Sequence, residues 1–296
     1  MRWHAYRLVC RLDSPLHAGW RSVGNLMQTR PYVTGRNWWG AATAHLTGWI
    51  GQYAYAAVGE FVRDNLVFGY LFPAESPDLP LVPRWGDDGL RYGPLNEKEF
   101  ERRFLSSVAS TAIDYEHNVA SEGQLHEVEF LSQRTASGDV LLIGYLLARE
   151  VPAQQYGHVT FSVRCTPNEV YVNELPLFTR VLARVQLGGE RRYGFGRIHI
   201  RQVAPANDLF GHPLVSLDED APVVRVDAER PLPAHAQISG LRASGEIEPL
   251  LGREWHESDG PGRRLSNPVL CWSPGAVACS QTRLRVGPMG VWAVVE

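Results

Sequence analysis

The chain has 296 residues, enough for one large domain or two ordinary ones, and its hydrophobic fraction of 44% is that of a globular protein. The formal net charge of −3 excludes a chain that attracts nucleic acid through an overall excess of basic residues. Positive charge is instead local, because the segment 180–201 contains six arginines and a single acidic residue, Glu190. A polyanion-binding surface needs such clustering and does not need a high overall pI.

The sequence contains four cysteines, Cys10, Cys165, Cys271 and Cys279, which have neither C-x-x-C spacing nor the paired histidines of a zinc site. We therefore expect no metal, no cofactor and no disulfide framework, and we interpret the cysteines as small hydrophobic residues in a reducing compartment. The N-terminus lacks the apolar segment of a signal peptide, and no run approaches the roughly 18 apolar residues of a membrane span. The sequence thus predicts a cytoplasmic protein without a membrane partner.

Period-two alternation predicts a first strand over residues 5–12. Its apolar face carries Tyr6, Leu8 and Cys10, and its other face carries arginines. Further strands are predicted from apolar runs or alternation at 125–131, 140–148, 158–165, 197–203, 222–226, 269–272 and 291–295. The segment 133–139, between two of these strands, is typical of a hairpin connection.

Two helices are predicted between the strands. The first begins near Thr34 or Asn37, and its apolar face consists of Trp39, Ala42, Leu46, Trp49, Ile50 and Tyr53. The second spans 174–185, where apolar residues recur at every third or fourth position. Residues 73–99 are rich in proline, glycine and aspartate, which predicts an irregular excursion.

The order strand, helix, strand, strand, helix, strand, with one additional strand, predicts an α+β fold with a ferredoxin-like βαββαβ domain similar to RRM domains. Two helices then cover one face of an antiparallel sheet and leave the other face open. We place this domain at residues 1–204, with an insertion at about 73–110. Residues 205–296 contain short strands between proline and glycine turns, which predicts a smaller β-rich C-terminal region or a second, degenerate ferredoxin-like unit.

A glycine-rich loop at 187–198 is the main candidate for a functional site. Its glycines, which tolerate positive φ and are expected to leave their amides free, are Gly188, Gly189, Gly194 and Gly196. The side chains beside them are Arg191, Arg192, Tyr193, Phe195 and Arg197. Guanidinium groups hold phosphates and aromatic rings stack on bases, so the loop is predicted to bind RNA. A surface turn with solvated arginines is the alternative, whereas a dinucleotide-binding turn is excluded because a strand must precede its glycines and a helix must follow them.

Residues outside the loop extend this candidate site. The start of the first helix, with Arg36 and Asn37, can receive a phosphate because exposed amides there carry partial positive charge, although an ordinary capped helix fits the same residues. Three tryptophans are candidates for base stacking or for the core: Trp20, Trp38 and Trp39.

Four segments lie in an order that points to one family: the strand exit 12–19, the helix start 32–41, the segment 112–129 and the glycine loop 188–196. In this combination the sequence resembles the RAMP superfamily, the ferredoxin-like RNA-binding subunits of CRISPR-Cas effector complexes. The resemblance covers residues 5–203. The glycine loop is similar to the family's loop before the last strand.

This resemblance implies three competing roles. Backbone subunits that cut target RNA carry an aspartate between the first strand and first helix, and this role is disfavoured because residues 19–37 contain no Asp or Glu. Processing endoribonucleases use a histidine as general base, for which His17 and His45 are candidates beside a surface or capping role. We favour the third role, a non-catalytic subunit of a type III-like system that grips the 5′ handle of the crRNA and caps the filament.

Under this hypothesis the partners are the crRNA through its 5′ handle, target RNA indirectly, and other Cas subunits. Asp114, Glu116 and His117 form a poor metal site, since two ligands three residues apart lack a third, and a solvated loop is the simpler interpretation. A scaffold whose open sheet binds another protein is the alternative from a different class.

Overall fold

The fold is organised around a six-stranded antiparallel sheet whose central strand is the N-terminal one. The computed structural model describes residues 2–51, 54–218, 220–256 and 258–295, so Tyr53 lies outside the described residues. The strands of this central sheet are β1 (Trp3–Leu12), β2 (Leu66–Phe68), β3 (Phe72–Ala74), β4 (Leu141–Arg149), β5 (Arg184–Gln186) and β6 (Arg197–Pro205). Their order across the sheet is β5-β6-β1-β4-β2, and β3 also pairs with β4.

Strand β1 alternates as the sequence predicts. Tyr6, Leu8 and Cys10 are buried in one core, whereas Arg7 and Arg11 point to the other face and stay partly exposed. Strands β4 and β6 pair with β1 on its two sides, both antiparallel. The predictions of strands at 5–12, 140–148 and 197–203 are therefore confirmed.

Two helices, α1 (Gly35–Ile50) and α2 (Tyr55–Asn65), contribute to the core on one face of the central sheet. The first residue of α1 is a glycine because a Cβ at Gly35 would lie 2.1 Å from the carbonyl oxygen of Phe68 and equally close to that of Met289. Helix α1 ends before Gly51, whose left-handed φ of 70° terminates the helix. Within its predicted apolar face Trp49 departs from the pattern, since 43% of the residue is exposed.

The predicted irregular excursion at 73–99 contains regular structure. Its short strands Pro83–Gly86, Gly89–Tyr92 and Leu95–Asn96 form an antiparallel sheet, and helix α3 (Glu97–Phe104) follows directly. A capping box starts α3, because the side chain of Asn96 accepts the Glu99 amide at 3.0 Å and the Glu99 carboxylate accepts the Asn96 amide at 2.9 Å. The prolines and glycines mark turns between short strands and not a loop without structure.

The predicted second helix at 174–185 is wrong. The described chain has strand Leu175–Pro176 there, a π-helical turn at Leu177–Val181, and then β5. The buried carboxylate of Glu169 fixes the start of the turn, because it accepts the amides of Phe178 at 2.7 Å and Thr179 at 3.0 Å. Pairing of β5 with β6 prevents a longer helix.

The predicted hairpin at 125–148 is also wrong. Strand His126–Leu131 pairs with Leu105–Ser110 and Leu26–Thr29, in a separate four-stranded sheet whose edge is Gly19–Val23. Its sequence neighbour β4 instead lies beside β1 in the central sheet. Adjacent strands in the chain thus belong to different sheets.

The remaining strands form smaller units and one large C-terminal sheet. A four-stranded sheet consists of Val151–Tyr156, Val159–Thr166, Glu169–Val172 and Leu175–Pro176. Two-stranded pairs are Ile113–Asp114 with Val119–Ala120, Arg134–Thr135 with Gly138–Asp139, Ala243–Ser244 with Val277–Ala278, and Arg253–His256 with Gly260–Leu265. The eight-stranded C-terminal sheet has the order Asp208–Leu209, His212–Ser216, Val223–Val226, Thr282–Val286, Trp292–Val294, Ala236–Gln237, Val269–Trp272, Ile247–Leu250.

Two hydrophobic cores lie on the two faces of the central sheet. The first, on the helix side, contains the fully buried rings of Phe61 and Phe161, stacked with centroids 4.2 Å apart. The second joins Trp3, Ala5 and Leu147 to buried residues of the C-terminal sheet. It therefore covers the opposite face over the start of β1 and over parts of β2, β3 and β4. Among the described helices, none has the length and apolar composition needed to cross a membrane.

Candidate nucleic-acid interface

The glycine loop folds back onto the chain that follows β1. Gly188 has φ of 75°, and a Cβ there would lie 2.2 Å from the carbonyl oxygen of His17. Gly196 has φ of 77°, and a Cβ there would lie 1.9 Å from the carbonyl oxygen of Leu187. Only glycine fits at these two positions, because the loop's own backbone and the 13–18 segment occupy the space.

The amides of the loop are used within the protein. The Gly189 amide donates to the carbonyl of His17 at 2.8 Å, and the Gly196 amide donates to that of Pro15 at 2.6 Å. The Gly194 amide donates to the carbonyl of Arg191 at 3.0 Å. The expectation that the glycine amides are free for a phosphate is therefore wrong for Gly189, Gly194 and Gly196.

A one-turn 3₁₀ helix, Arg191–Tyr193, carries the loop's exposed side chains. Arg191 and Arg192 are exposed, and Tyr193 is 80% exposed. Phe195 differs, because its half-buried ring packs edge-on against Phe130 with centroids 5.4 Å apart. Among the loop's aromatic residues, Tyr193 is thus free to stack on a base, whereas Phe195 holds the loop in place.

Arg191 lies over helix α1, where Ala44, His45, Gly48 and Trp49 form the floor of a shallow groove. Partial burial lowers the pKa of His45, and the positive charge of Arg191 lowers it further, so the imidazole is neutral at neutral pH. The groove therefore presents the guanidinium of Arg191 beside the neutral imidazole of His45 and the half-exposed indole of Trp49.

An arginine from another segment contacts the indole that lines this groove. The guanidinium of Arg180, from the π-helical turn, lies 4.6 Å from the ring centroid of Trp49. A cation over an aromatic face is stabilising at about 0.5–1 kcal/mol where water has access. Glu169 holds the turn that carries Arg180, so this contact is positioned by a buried carboxylate. Neither Trp49 nor Arg180 was predicted as a site residue from the sequence, because the tryptophan fits the apolar pattern of the first helix.

The start of α1 does not join this groove as an open phosphate site. Arg36 makes an ion pair with Glu254 at 3.4 Å, and its stem packs against Gly252. The side chain of Asn37 accepts a hydrogen bond from the hydroxyl of Thr34 at 2.6 Å. Because Gly35 also contacts neighbouring carbonyls, the structure covers the helix start with protein.

The three tryptophans have three different environments. Trp38 is 1% exposed and packs on Phe68 in the core, and Trp39 is half-buried. Trp20 is 40% exposed, with the guanidinium of Arg21 located 4.0 Å from its ring centroid. Its indole nitrogen donates to Glu248 at 3.3 Å, which places Trp20 beside the C-terminal sheet. Trp20 keeps an accessible face, and Trp38 does not.

The candidate histidines and the acidic loop also occupy separate places. His17 is buried beneath the glycine loop, where its Nδ1 lies 2.7 Å from the carbonyl oxygen of Glu129. The side chains of Asp114 and His117 form an exposed hydrogen bond at 2.8 Å, which lowers the pKa of Asp114. No cluster of three or more metal-ligating side chains occurs among the described residues.

A buried polar network joins the two halves of the chain. Glu248 accepts two hydrogen bonds from Arg30, both at 2.9 Å, and one from His235 at 2.6 Å. The hydroxyl of Tyr70 lies 2.5 Å from the other nitrogen of His235, and Arg30 donates to the hydroxyl of Tyr32 at 3.0 Å. Sequence reasoning missed this network because its members carry no local motif.

No family model matches the sequence, and no curated protein matches it. The structure is similar to a chain in the cryo-EM structure of the type III-B Cmr-beta bound to cognate target RNA, with a TM-score of 0.53 and 12% identity over 92% of this chain and 86% of that chain. It is similar to a chain of the same complex bound to cognate target RNA and AMPPnP, with a TM-score of 0.53 and 11% identity over 92% and 85%. At 11–12% identity, these similarities show that the protein and the two chains of that complex share a fold.

Proposed function

We propose that this chain is a RAMP-type, non-catalytic RNA-binding subunit of a CRISPR-Cas ribonucleoprotein effector, gripping the 5′ handle of the crRNA and capping the filament of backbone subunits. The observation that carries the proposal is the groove in which Arg191 lies beside a neutral His45 and the half-exposed indole of Trp49, with Arg180 over that indole. The shared fold with a chain of a type III-B effector bound to target RNA supports the setting. Its partners are the crRNA, other Cas subunits and, indirectly, target RNA.

The proposal includes a ferredoxin-like domain at residues 1–204 and a β-rich region at 205–296. Support comes from the order of the central sheet, in which the last strand β6 lies beside β1, β1 lies beside β4, and the earlier β2 and β3 lie at the far edge. This is the strand order of a split βαβ arrangement. The short π-helical turn occupies the place of the second helix.

Side chains of the glycine loop make the contacts with RNA. Arg191, Arg192 and Arg197 bind phosphates, for which planar guanidinium groups are suited. Tyr193 stacks on an unpaired base, and a second base can lie against Trp49. Each stacking contact is worth about 1–3 kcal/mol, so two of them with the arginines favour a single strand over a duplex. No bond is made or broken in this role.

A second candidate function has one specific observation in its favour. His45 is neutral, the form needed in a general base, and Arg191 beside it can stabilise negative charge on a phosphate. An endoribonuclease that processes precursor crRNA would use this pair. His45→Ala would then abolish cleavage of precursor RNA and leave binding intact, whereas the non-catalytic role predicts no cleavage by either form.

Co-expression with a CRISPR array, followed by purification and sequencing of the bound RNA, tests the non-catalytic role. We expect short RNAs that share one 5′ end, and we expect Arg191→Glu with Arg192→Glu to lose them. The matched control is Arg242→Glu with Arg285→Glu, which reverses two exposed arginines of the C-terminal half. Absence of RNA from the wild-type protein at low salt, or equal RNA in both double variants, would overturn the proposal and favour a protein scaffold.

A further inference from the structure

A row of basic side chains crosses the face of the central sheet opposite the helices. Arg184 on β5 is paired with His199 on β6, and His199 is paired with Arg11 on β1. Paired residues of antiparallel strands lie side by side on one face, with Cβ atoms about 4.5–5.5 Å apart. Arg201 is the extra residue of a β-bulge in β6, between Ile200 and Gln202, and its exposed guanidinium acts electrostatically on His199. We call these four residues the basic strip.

The strip lies at the uncovered end of this face. Protein covers the face from Trp3, Ala5 and Tyr145 in the second core as far as the buried Val9. Beyond Val9, Arg11 and His199 are half-buried, and Arg184 and Arg201 are exposed. The opposite faces of β1 and β6 supply buried residues to the first core, so the strip is the outer surface of a well-packed sheet.

Among the described side chains, the charge of the strip is not balanced. Asp13 pairs with Arg11 at 2.6 Å, which leaves Arg184 and Arg201 as an excess of positive charge. Partial burial and then the two arginines lower the pKa of His199, which indicates that they act on the same small area. Like charges in neighbouring positions destabilise a sheet, so a polyanionic ligand that relieves this repulsion is the fitting partner.

The strip is continuous with the glycine loop. Arg197 begins β6 two residues before His199, and its guanidinium reaches to within 3.9 Å of the Cβ position at Gly194. From Arg197 to Arg201 the strand advances about 13 Å. A flexible chain of phosphates that leaves the loop at Arg197 therefore meets further guanidinium groups along β6.

We infer that the basic strip is a second binding surface for the phosphate backbone of single-stranded RNA, which carries the strand from the glycine loop across β6 and β5. This inference rests on the proposed RNA-binding function. An acidic protein is the less suitable occupant, because the strip lacks the exposed aromatic and aliphatic side chains that form the centre of protein interfaces. The strip acts through charge alone and reads no base sequence.

Binding of fluorescently labelled oligouridines of two lengths, about 6 and about 20 nucleotides, tests the inference with the full-length protein. We expect Arg184→Glu with Arg201→Glu to weaken binding of the long RNA at least about tenfold. The slope of log affinity against log salt should fall by about 1.4, since each lost phosphate contact on a single strand contributes about 0.7. Binding of the short RNA should stay unchanged, and so should the thermal midpoint.

Variants of the glycine loop separate this inference from the proposed function. Arg191→Glu with Arg192→Glu should weaken both RNAs, and Arg242→Glu with Arg285→Glu should weaken neither. If the strip variant binds the long RNA like the wild type while the loop variant does not, the strip is not an RNA surface and the proposed function stands. If the wild type binds neither RNA at low salt, the inference about the strip and the proposed RNA-binding function both fail. Loss of an acidic Cas subunit from the strip variant, with RNA binding intact, would assign the strip to a protein partner.

Discussion

Replacing Glu248 with alanine should destabilise the protein by about 3 kcal/mol, because the Arg30 guanidinium would lose its counter-charge. The Arg30 and Glu248 side chains are only 11% and 19% exposed, and the carboxylate receives hydrogen bonds from both Arg30 and His235. Removing one partner of a buried pair costs about 3–5 kcal/mol, and the remaining exposure places this pair at the lower end. A shift of the thermal midpoint by roughly 6–12 °C is expected, measured by scanning fluorimetry.

The pH dependence of the same network gives the prediction a second test. Burial would raise the pKa of Glu248, but hydrogen bonds from His235 and Arg30 hold it well below the ordinary value of 4.5. A lowered carboxyl pKa stabilises the fold above about pH 4.5, and this stabilisation is lost as the pH falls. Burial also lowers the pKa of His235. Below the ordinary histidine value of 6.5 the unfolded chain therefore binds a proton more readily than the folded protein, and the free energy of unfolding falls. Wild-type stability should therefore decline below about pH 6.5 and again below about pH 4.5, and the second decline should be smaller in Glu248→Ala, because other carboxyls such as Asp114 also have a lowered pKa.

The exposed neighbour Glu246 provides the matched control, because Glu246→Ala should change the free energy of unfolding by less than about 0.5 kcal/mol. The reasoning about a partly buried ion pair fails if Glu248→Ala costs less than about 1 kcal/mol. It also fails if the variant keeps the wild-type profile below about pH 4.5.

Three further substitutions test the packing and the loop. Gly196→Ala should destabilise the protein by about 3 kcal/mol in urea unfolding, because the new Cβ would lie 1.9 Å from the carbonyl oxygen of Leu187. The control Gly40→Ala, which places its Cβ in open space on a helix, should be neutral or stabilising. Phe161→Ala should cost about 3–5 kcal/mol in the same assay, and a cost below about 1 kcal/mol would contradict its place in the first core. Tyr193→Ala should leave the thermal midpoint unchanged and weaken binding of single-stranded RNA by about 1–3 kcal/mol in fluorescence anisotropy, and unchanged affinity would remove the ring from the interface.

Three strands of the central sheet, β1, β4 and β6, were predictable because their burial follows a local rule, whereas the shorter β2, β3 and β5 were not predicted. In β1 the apolar residues of the face in the first core alternate with Arg7 and Arg11, which stay partly exposed on the other face. The segment 174–185 has the spacing of a helix, yet the carboxylate of Glu169 binds the amides at the start of its turn, and β6 pairs with its end. Both contacts come from elsewhere in the chain, so no window of local sequence reveals them.

The candidate site was predictable only in part, for the same reason. The arginines and Tyr193 of the glycine loop are exposed as expected, since glycines and charges mark a surface loop. The contact of Arg180 with Trp49 joins distant segments, and the pattern of α1 assigns the indole to the core. The loop's amides were misjudged because their acceptors, the carbonyls of Pro15 and His17, lie far away in the sequence.

The position of β1 has a consequence for the synthesis of the chain. Its two neighbours in the sheet are β4, which begins at Leu141, and β6, which begins at Arg197. At about 5–20 residues per second, a ribosome produces β6 roughly 10–40 s after β1. During this interval the first strand exposes an unpaired edge and apolar side chains, the conditions under which nascent chains aggregate. The edge of β1 that pairs with β6 is therefore closed only after about two thirds of the chain has been translated.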